Sequence, residues 1–328
     1  MVYTHLDLKM LDEALHGPNA KEWEEALKYE INQLEKLGMW VVEDLPLSQS
    51  AIPCSKVVWI KCSPDGEVQS YRVRIVARGH RQVEGVNYTK IFSAAMKMPT
   101  ICVFLTNAAH QDGEIEHINI KSAYLNAPLK EATYMKAPRG VLKPGQEGKV
   151  LSLLKGLYGL KQPGRGWYME MAGVFMNELG LKRSTIDHLV FCWRTGEEHI
   201  IVAVVTDNMA VTLKRSVDAE CFKLNVKCFW DIMDHEPIKW FLGFEIRRDW
   251  KLRTVLINQQ AYIKAMVDKF RLILDEAMPF NHQSSCTHKR SACEAIGLIL
   301  CPTIVSQLDT AYAVGILLQF IQNPGQTH

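Results

Sequence analysis

Hydrophobic positions along this chain change their period several times, and each change marks an element. Trp23, Ala26, Leu27, Ile31, Leu34 and Leu37 recur at three- and four-residue intervals, which predicts an amphipathic helix. Asn19 with Glu22 supplies a start signal and Gly38 a stop. The period then shortens to two. Trp40 to Val42 and Lys56 to Lys61 read as strands, Ser63-Pro64-Asp65-Gly66 as a turn, and Glu67 to Ala77 as the returning arm of a hairpin. Arg72 and Arg74 alternate with Val73 and Ile75 in that arm, so one of its faces is expected to be basic and the other apolar.

Further on, Pro99 to Gln111 predicts a helix, Asp112-Gly113 a turn, and Glu114 to Ile120 a strand that runs on into a turn at Asn126 and Pro128. Val150 to Leu154 reads as a strand. The glycine-rich bend Gly156 to Gly166 then opens a helix from Trp167 to Leu179, closed by Gly180. Such a bend has the freedom to approach phosphates, although it lacks the Lys-Ser/Thr of a nucleotide-binding P-loop. The most pronounced β pattern is His199 to Leu213, an apolar run broken at Asp207-Asn208, which predicts a hairpin with an acidic group at its tip. A helix at Ser216 to Phe229, a strand pair at Lys239 to Ile246 and Arg253 to Ile257, and a helix at Gln259 to Phe270 follow. Residues 273–300 read as a polar linker and Leu308 to Gln322 as a last amphipathic helix. Helices interspersed with antiparallel hairpins predict an α+β fold.

Composition narrows the function classes. With 328 residues, 48% hydrophobic and 23% charged, the chain is long enough to bury a sizeable core. Lys plus Arg exceed Asp plus Glu by only 38 to 36, so a nucleic-acid surface has to be a local patch. The arginines Arg72, Arg74, Arg78 and Arg81 provide one, weighed against an ordinary solvated strand face. No apolar run reaches membrane-span length and the N-terminus has no secretory apolar region, so an intracellular, soluble protein without a membrane partner is expected. Nine cysteines without a repeated spacing do not suggest a disulfide framework. His282, Cys286, His288 and Cys293 have residue types that suit zinc but no common finger spacing, and read as a polar loop.

Four motifs in register carry a family resemblance: Tyr71-Arg-Val-Arg-Ile-Val-Ala-Arg-Gly79, His117-Ile-Asn-Ile-Lys-Ser-Ala-Tyr-Leu-Asn126, Leu157-Tyr-Gly-Leu-Lys-Gln162 and Phe241-Leu-Gly-Phe-Glu-Ile246. Together they resemble the copia-type retrotransposon reverse transcriptase, an RNA-directed DNA polymerase. The resemblance implies a right-hand polymerase fold over residues 1–272, with basic fingers, an antiparallel palm sheet and a partial thumb from about Ser216. It also implies that residues 301–328 lead towards a ribonuclease H which, like the protease and integrase, is expected to be absent here.

The family's palm holds three aspartates that bind two Mg2+ or Mn2+ ions, with an RNA template, a DNA primer and a deoxynucleoside triphosphate as partners. Carried onto this sequence, those positions are Asn119, Asp207 and Asn208, and Val205 stands where the family has an aromatic. Asp207 alone retains the charge that suits a metal. Alternation along the strand puts Glu116 on the face opposite Asn119. The resemblance implies that Arg72, Arg74 and Arg78 include the triphosphate contacts, with the assignment among them open. Tyr124 matches the aromatic that excludes a ribose 2′ hydroxyl, Gln162 the glutamine near the templating base, and Gly243 the primer grip. The expected function is that of a reverse transcriptase with a degenerate catalytic centre. The alternatives are a non-catalytic nucleic-acid-binding remnant and a pseudogene product.

Overall fold

A computed structural model describes residues 2–4, 14–62, 67–195, 198–213, 216–234, 237–270, 297–300, 302–303, 314–315 and 318. In chain order the elements are β1 (Val2–Thr4), α1 (Ala20–Lys36), β2 (Trp40–Glu43), β3 (Ala51–Ile52), β4 (Cys54–Cys62), β5 (Val68–Ala77), α2 (Met98–His110) and β6 (Glu114–Ile120). They continue with β7 (Pro128–Lys136), β8 (Val150–Lys155), α3 (Pro163–Gly173), β9 (Lys182–Arg183), β10 (Val190–Thr195), β11 (Glu198–Val205) and β12 (Asn208–Leu213). Last come α4 (Ser216–Lys227), β13 (Ile232–Asp234), β14 (Trp240–Phe241), β15 (Phe244–Asp249), β16 (Thr254–Asn258) and α5 (Gln260–Phe270). The chain divides into two compact units, residues 1–95 with 120–183 and residues 96–119 with 184–328. Among the described residues no helix is long and apolar enough to cross a membrane. The mixture of helices with largely antiparallel sheets is the expected α+β class.

The first unit carries a three-stranded sheet, β1-β4-β5, and a four-stranded sheet, β2-β8-β7-β3. Its α1 buries Trp23, Leu27, Ile31 and Leu34, the residues that set the helical period. The helix ends in two capping bonds, Gly38 N–H to Glu35 O at 2.9 Å and Met39 N–H to Leu34 O at 3.2 Å, with Gly38 at φ +63°. Those bonds satisfy carbonyls that the last turn would otherwise orphan. At the other end Asn19 is the cap residue, but its side chain makes no capping bond. The β4–β5 hairpin forms in the expected place; its predicted turn, 63–66, lies outside the described residues. Arg72 and Arg74 are exposed while Val73 and Ile75 are buried, as alternation requires.

Three sequence expectations are corrected in this unit. β7 and β3 were not expected, because Lys130 and Glu131 dilute the apolar pattern and Pro128 resembles a turn; at the first position of a strand a proline costs no ladder bond. The helix after the glycine-rich bend starts at Pro163, four residues earlier than the pattern suggested, since Pro suits a first helical turn. Its last stretch, Val174–Glu178, is a π-turn. The glycines of the bend are occupied by the chain itself: Ala77 N–H donates to Tyr158 O at 2.8 Å, and a Cβ on Gly159 would lie 2.1 Å from Ala77 O.

In the second unit neighbouring strands run β13-β6-β12-β11-β10, and a separate sheet runs β14-β15-β16. The β11–β12 hairpin pairs Val205 with Asn208, so the turn residues are Thr206 and Asp207, and Asn208 already belongs to the strand. The sequence had placed the turn on Asp207-Asn208. Thr206 holds φ +59°, an uncommon conformation for a β-branched residue. The predicted strand Lys239 to Ile246 is two strands, with Leu242 (φ +53°) and Gly243 (φ +83°) forming the turn between Phe241 and Phe244. The linker's first 24 residues, the Cys/His cluster at 282–293 and most of the last helix lie outside the described residues.

The start of α2 is capped from a distance. Asp187, only 5% exposed, accepts hydrogen bonds from Lys97 N–H (3.0 Å), Thr100 Oγ1 (2.8 Å) and Leu189 N–H (3.1 Å). Burial alone would raise its pKa; these bonds and the Lys97 charge outweigh burial and hold it below the ordinary 3.8.

Three outcomes are expected. Gly159→Ala loses about 3 kcal/mol or more in urea unfolding, because both the positive φ and the Ala77 carbonyl oppose a Cβ. Gly173→Ala, with nothing within 4 Å, stays within about 1 kcal/mol of wild type. Because the Asp187 pKa is lowered on folding, its stabilisation is present above the unfolded value and is lost as pH falls through the folded one. Asp187→Asn therefore flattens the acid limb of stability against pH below about pH 4, read by unfolding at a series of pH values.

Candidate functional site

Pairing of β6 with β12 places Asn119 directly opposite Asn208 and His117 opposite Ala210. Side chains alternate along a strand, so His117 and Asn119 share one face of β6. The β11–β12 turn delivers Asp207 to the same place. Asn119 Nδ2 donates to Asp207 Oδ2 at 3.1 Å and to Asn208 Oδ1 at 3.2 Å. Asn208 Nδ2 reaches Asp207 Oδ1 at 3.4 Å. His117 Nε2 lies 3.0 Å from Asn208 Oδ1, and its ring meets the Phe241 ring edge-on at 5.7 Å. All four polar side chains are half-buried. An Asp carboxylate only accepts, so it selects the amide orientation that presents Asn119 Nδ2 rather than its oxygen.

The three residues singled out at this position are therefore brought together. Their donor set is one carboxylate and two amides, with an imidazole alongside. Among the described residues no three His, Cys, Asp or Glu side chains gather to hold a metal ion.

The other singled-out residues, Gly243 apart, lie in the first unit. Arg72 and Arg74 sit exposed on β5. Arg78 follows directly, with its Nε donating to Ser55 Oγ at 2.7 Å. Tyr124 is half-buried in a single helical turn, Ala123–Asn126, where its carbonyl leaves no room for a side chain at Gly156. Gln162 is 6% exposed and its amide is committed on both sides: Oε1 accepts from Gln82 Nε2 and Nε2 donates to Asn87 O, each at 2.9 Å. Gln82 Oε1 in turn accepts from Lys161 N–H at 2.8 Å, tying the bend to the loop at 82–88. Gly243 occupies the β14–β15 turn of the second unit.

Residues 37–280 match the family described as "Reverse transcriptase (RNA-dependent DNA polymerase)". Over 335 residues the chain is 28% identical to the Retrovirus-related Pol polyprotein from transposon TNT 1-94 of Nicotiana tabacum, covering 97% of this chain and 25% of that protein. It is 26% identical over 332 residues to the corresponding polyprotein from transposon RE1 of Arabidopsis thaliana, covering 96% and 22%. The chain thus spans about a quarter of the length of these relatives. Among solved structures it is similar to the foamy viral protease-reverse transcriptase in complex with dsDNA, with TM-score 0.50, 13% identity, and coverage of 98% of this chain and 54% of that chain. That likeness shows the polymerase fold.

One cluster beneath the site had no local signal. Glu116, on the opposite face of β6, accepts from Lys223 Nζ of α4 at 3.1 Å; Lys223 also meets Asp234 Oδ2 at 3.1 Å and Glu220 Oε1 at 3.6 Å. Lys223 is fully buried. Burial pushes its pKa down, but the bonds and charges of Glu116 and Asp234 prevail and hold it above the ordinary amine value. A lysine on a short helix, 107 residues from its partner, reads as a surface charge. The pairing occupies Glu116, which alternation had already turned away from Asn119. Lys223→Met is expected to cost about 3–5 kcal/mol in chemical unfolding, by leaving a buried carboxylate uncompensated. Adding Glu116→Leu is expected to recover most of that loss.

Proposed function

The chain belongs to the reverse transcriptase (RNA-dependent DNA polymerase) family, and on that premise we propose a copia-type reverse transcriptase unit with little or no polymerase activity. The partners proposed with this reading are an RNA template, a DNA primer and a deoxynucleoside triphosphate. The observation that carries the reading is the Asn119 amide donating to Asp207 and Asn208.

Nucleotidyl transfer in this family relies on divalent ions that activate the primer hydroxyl and steady the departing pyrophosphate. Magnesium takes hard, anionic oxygen ligands. At Asn119, Asp207 and Asn208 the residues present do not fit a pair of such ions. One carboxylate supplies the negative charge, and a hydrogen bond from Asn119 engages the oxygen that a cation would need. At an effective dielectric near 20, each missing charge removes about 4 kcal/mol of attraction per unit of cation charge at ~4 Å. Per unit of cation charge the two losses, about 8 kcal/mol together, correspond to on the order of six powers of ten in rate or metal occupancy.

A second reading, a nucleic-acid-binding protein without chemistry, is favoured by Arg72 and Arg74, which stand exposed on one face of β5. Phosphate contacts of that kind give binding that weakens steeply with salt.

Primer extension on a homopolymer template with Mg2+ or Mn2+ tests the main reading. The protein as written is expected to give no incorporation above background; sustained extension overturns the proposal. Asn119→Asp combined with Asn208→Asp is expected to raise incorporation by on the order of a thousandfold or more, because both charges return.

A further inference from the structure

At the end of its sheet remote from Gly243, the β15–β16 hairpin closes through Trp250-Lys-Leu-Arg253. Asp249 Oδ1 accepts from Leu252 N–H at 2.9 Å, and Arg253 holds φ +51°, which together turn the chain. Tips of this kind usually carry Gly, Asn, Asp or Ser. Here Trp250 is 52% and Leu252 72% exposed, so neither owes its place to the core. From Arg247 to Arg253 the bases Arg247, Arg248, Lys251 and Arg253 stand against one acid, Asp249. Arg247 Nη2 is paired with Glu245 Oε1 at 2.7 Å. Arg248 Nη2 donates to Ala109 O at the end of α2 (3.2 Å) and meets Asp112 Oδ1 at 3.4 Å, and its guanidinium carbon lies 4.8 Å from the Trp250 ring centroid. Lys251 and Arg253 are exposed and make no hydrogen bond or ion pair among the described residues.

A ring held by an anchored guanidinium, with half its surface still open, is a stacking platform that loses little freedom when a flat partner arrives. The unpaired cations beside it attract an anionic chain. An unpaired nucleobase with its flanking phosphates offers the flat face and the charge together. An acidic peptide lacks the first, and a duplex keeps its bases stacked on one another. We propose that the β15–β16 tip is a binding site for single-stranded nucleic acid, with Trp250 stacking an unpaired base and Lys251 and Arg253 meeting the adjacent phosphates. Asp249 lies six residues from Gly243, about 20 Å along a strand rising ~3.4 Å per residue, so the tip is a separate contact point on this sheet. It is outside the four motifs that carry the family resemblance, and β5 belongs to the other unit. The inference rests on the nucleic-acid reading above and adds a location to it.

Fluorescence anisotropy of the full chain with a labelled single-stranded oligonucleotide, over a salt series, tests it. Trp250→Ala is expected to weaken binding about tenfold while the salt slope stays as in wild type, because stacking is lost and charge is kept. Trp250→Phe keeps a ring and stays within about threefold of wild type. Lys251→Ala with Arg253→Ala is expected to lower the salt slope by about 1.4, at ~0.7 for each single-strand phosphate contact. On an abasic sugar-phosphate strand and on a closed dumbbell duplex, Trp250→Ala is expected to bind like wild type, since neither offers an unpaired base to stack.

Trp250→Ala that binds the base-bearing strand as tightly as wild type overturns the proposal, and so does an equal loss on the abasic strand. Sedimentation with phosphatidylcholine–phosphatidylserine vesicles tests the other surface suited to such a tip. Vesicle binding lost in Trp250→Ala and Leu252→Ser, with oligonucleotide binding intact, overturns the proposal in favour of a lipid surface. Because the ring is exposed, Trp250→Ala is expected to melt with wild type, and the abasic strand reports any general loss of fold. Arg72→Ala with Arg74→Ala separates the two readings: if that pair abolishes binding and the tip variants change nothing, the tip falls and the nucleic-acid reading stands. Absence of binding by the wild type at low salt overturns both.

Discussion

Pairing of β6 with β12 is the interaction on which the candidate site depends. Residue-for-residue register puts Asn119 across from Asn208 and lets the turn bring in Asp207. A slip of one residue would exchange the faces and bring the Glu116 ion pair to where the amides now sit. Both faces resist such a slip. On one side the amides bond to each other and to Asp207, and on the other Lys223 grips Glu116. Ile118 and Ile120, both fully buried, add apolar surface that a slip would expose.

The chemistry at this position follows from which side chains close upon themselves. Carboxylates crowded together repel unless cations lie between them. Here an amide takes the bridging part, donating to Asp207 and Asn208 at ordinary hydrogen-bond distances, so the cluster is satisfied by its own residues. Thr206, at φ +59°, and Asp207 form the turn between the paired Val205 and Asn208, so Asp207 sits at its tip. Backbone architecture and side-chain charge are thus separable, and at this turn the pairing brings together one carboxylate and two amides.

A similar separation runs through the first unit. The glycine-rich bend had two physical uses open to it, approach to a ligand's phosphates or approach to the chain's own backbone. The close contact of Gly79 with the Gly159 carbonyl and of Gly159 with Ala77 gives it the second use. That docking brings Tyr158 over Arg74 and locks Gln162 into a buried network with Gln82 and Asn87. Glycine in this bend serves packing, and packing in turn arranges the basic strand.

Much of the secondary structure was legible from the chain alone. The α1 stripe, the basic and apolar faces of β5 and the β11–β12 hairpin rest on local periodicity, which needs no distant partner. The α+β class follows from those elements, and the reading of Asn119, Asp207 and Asn208 as one site came from motif resemblance; strand register then supplied the contacts. Elements set by long-range pairing were hidden: β7, with its diluted pattern, the Lys223–Glu116–Asp234 cluster, and the remote cap that Asp187 places on α2. The turn position also shifted by one residue, because strand register and not turn propensity decides which residue leaves the ladder. What the amino-acid order determined by itself was periodicity and charge inventory. What only the tertiary structure decided was which charges are neutralised, which amides are spent, and which arginine is stacked on aromatic rings, since each depends on groups far apart in the chain.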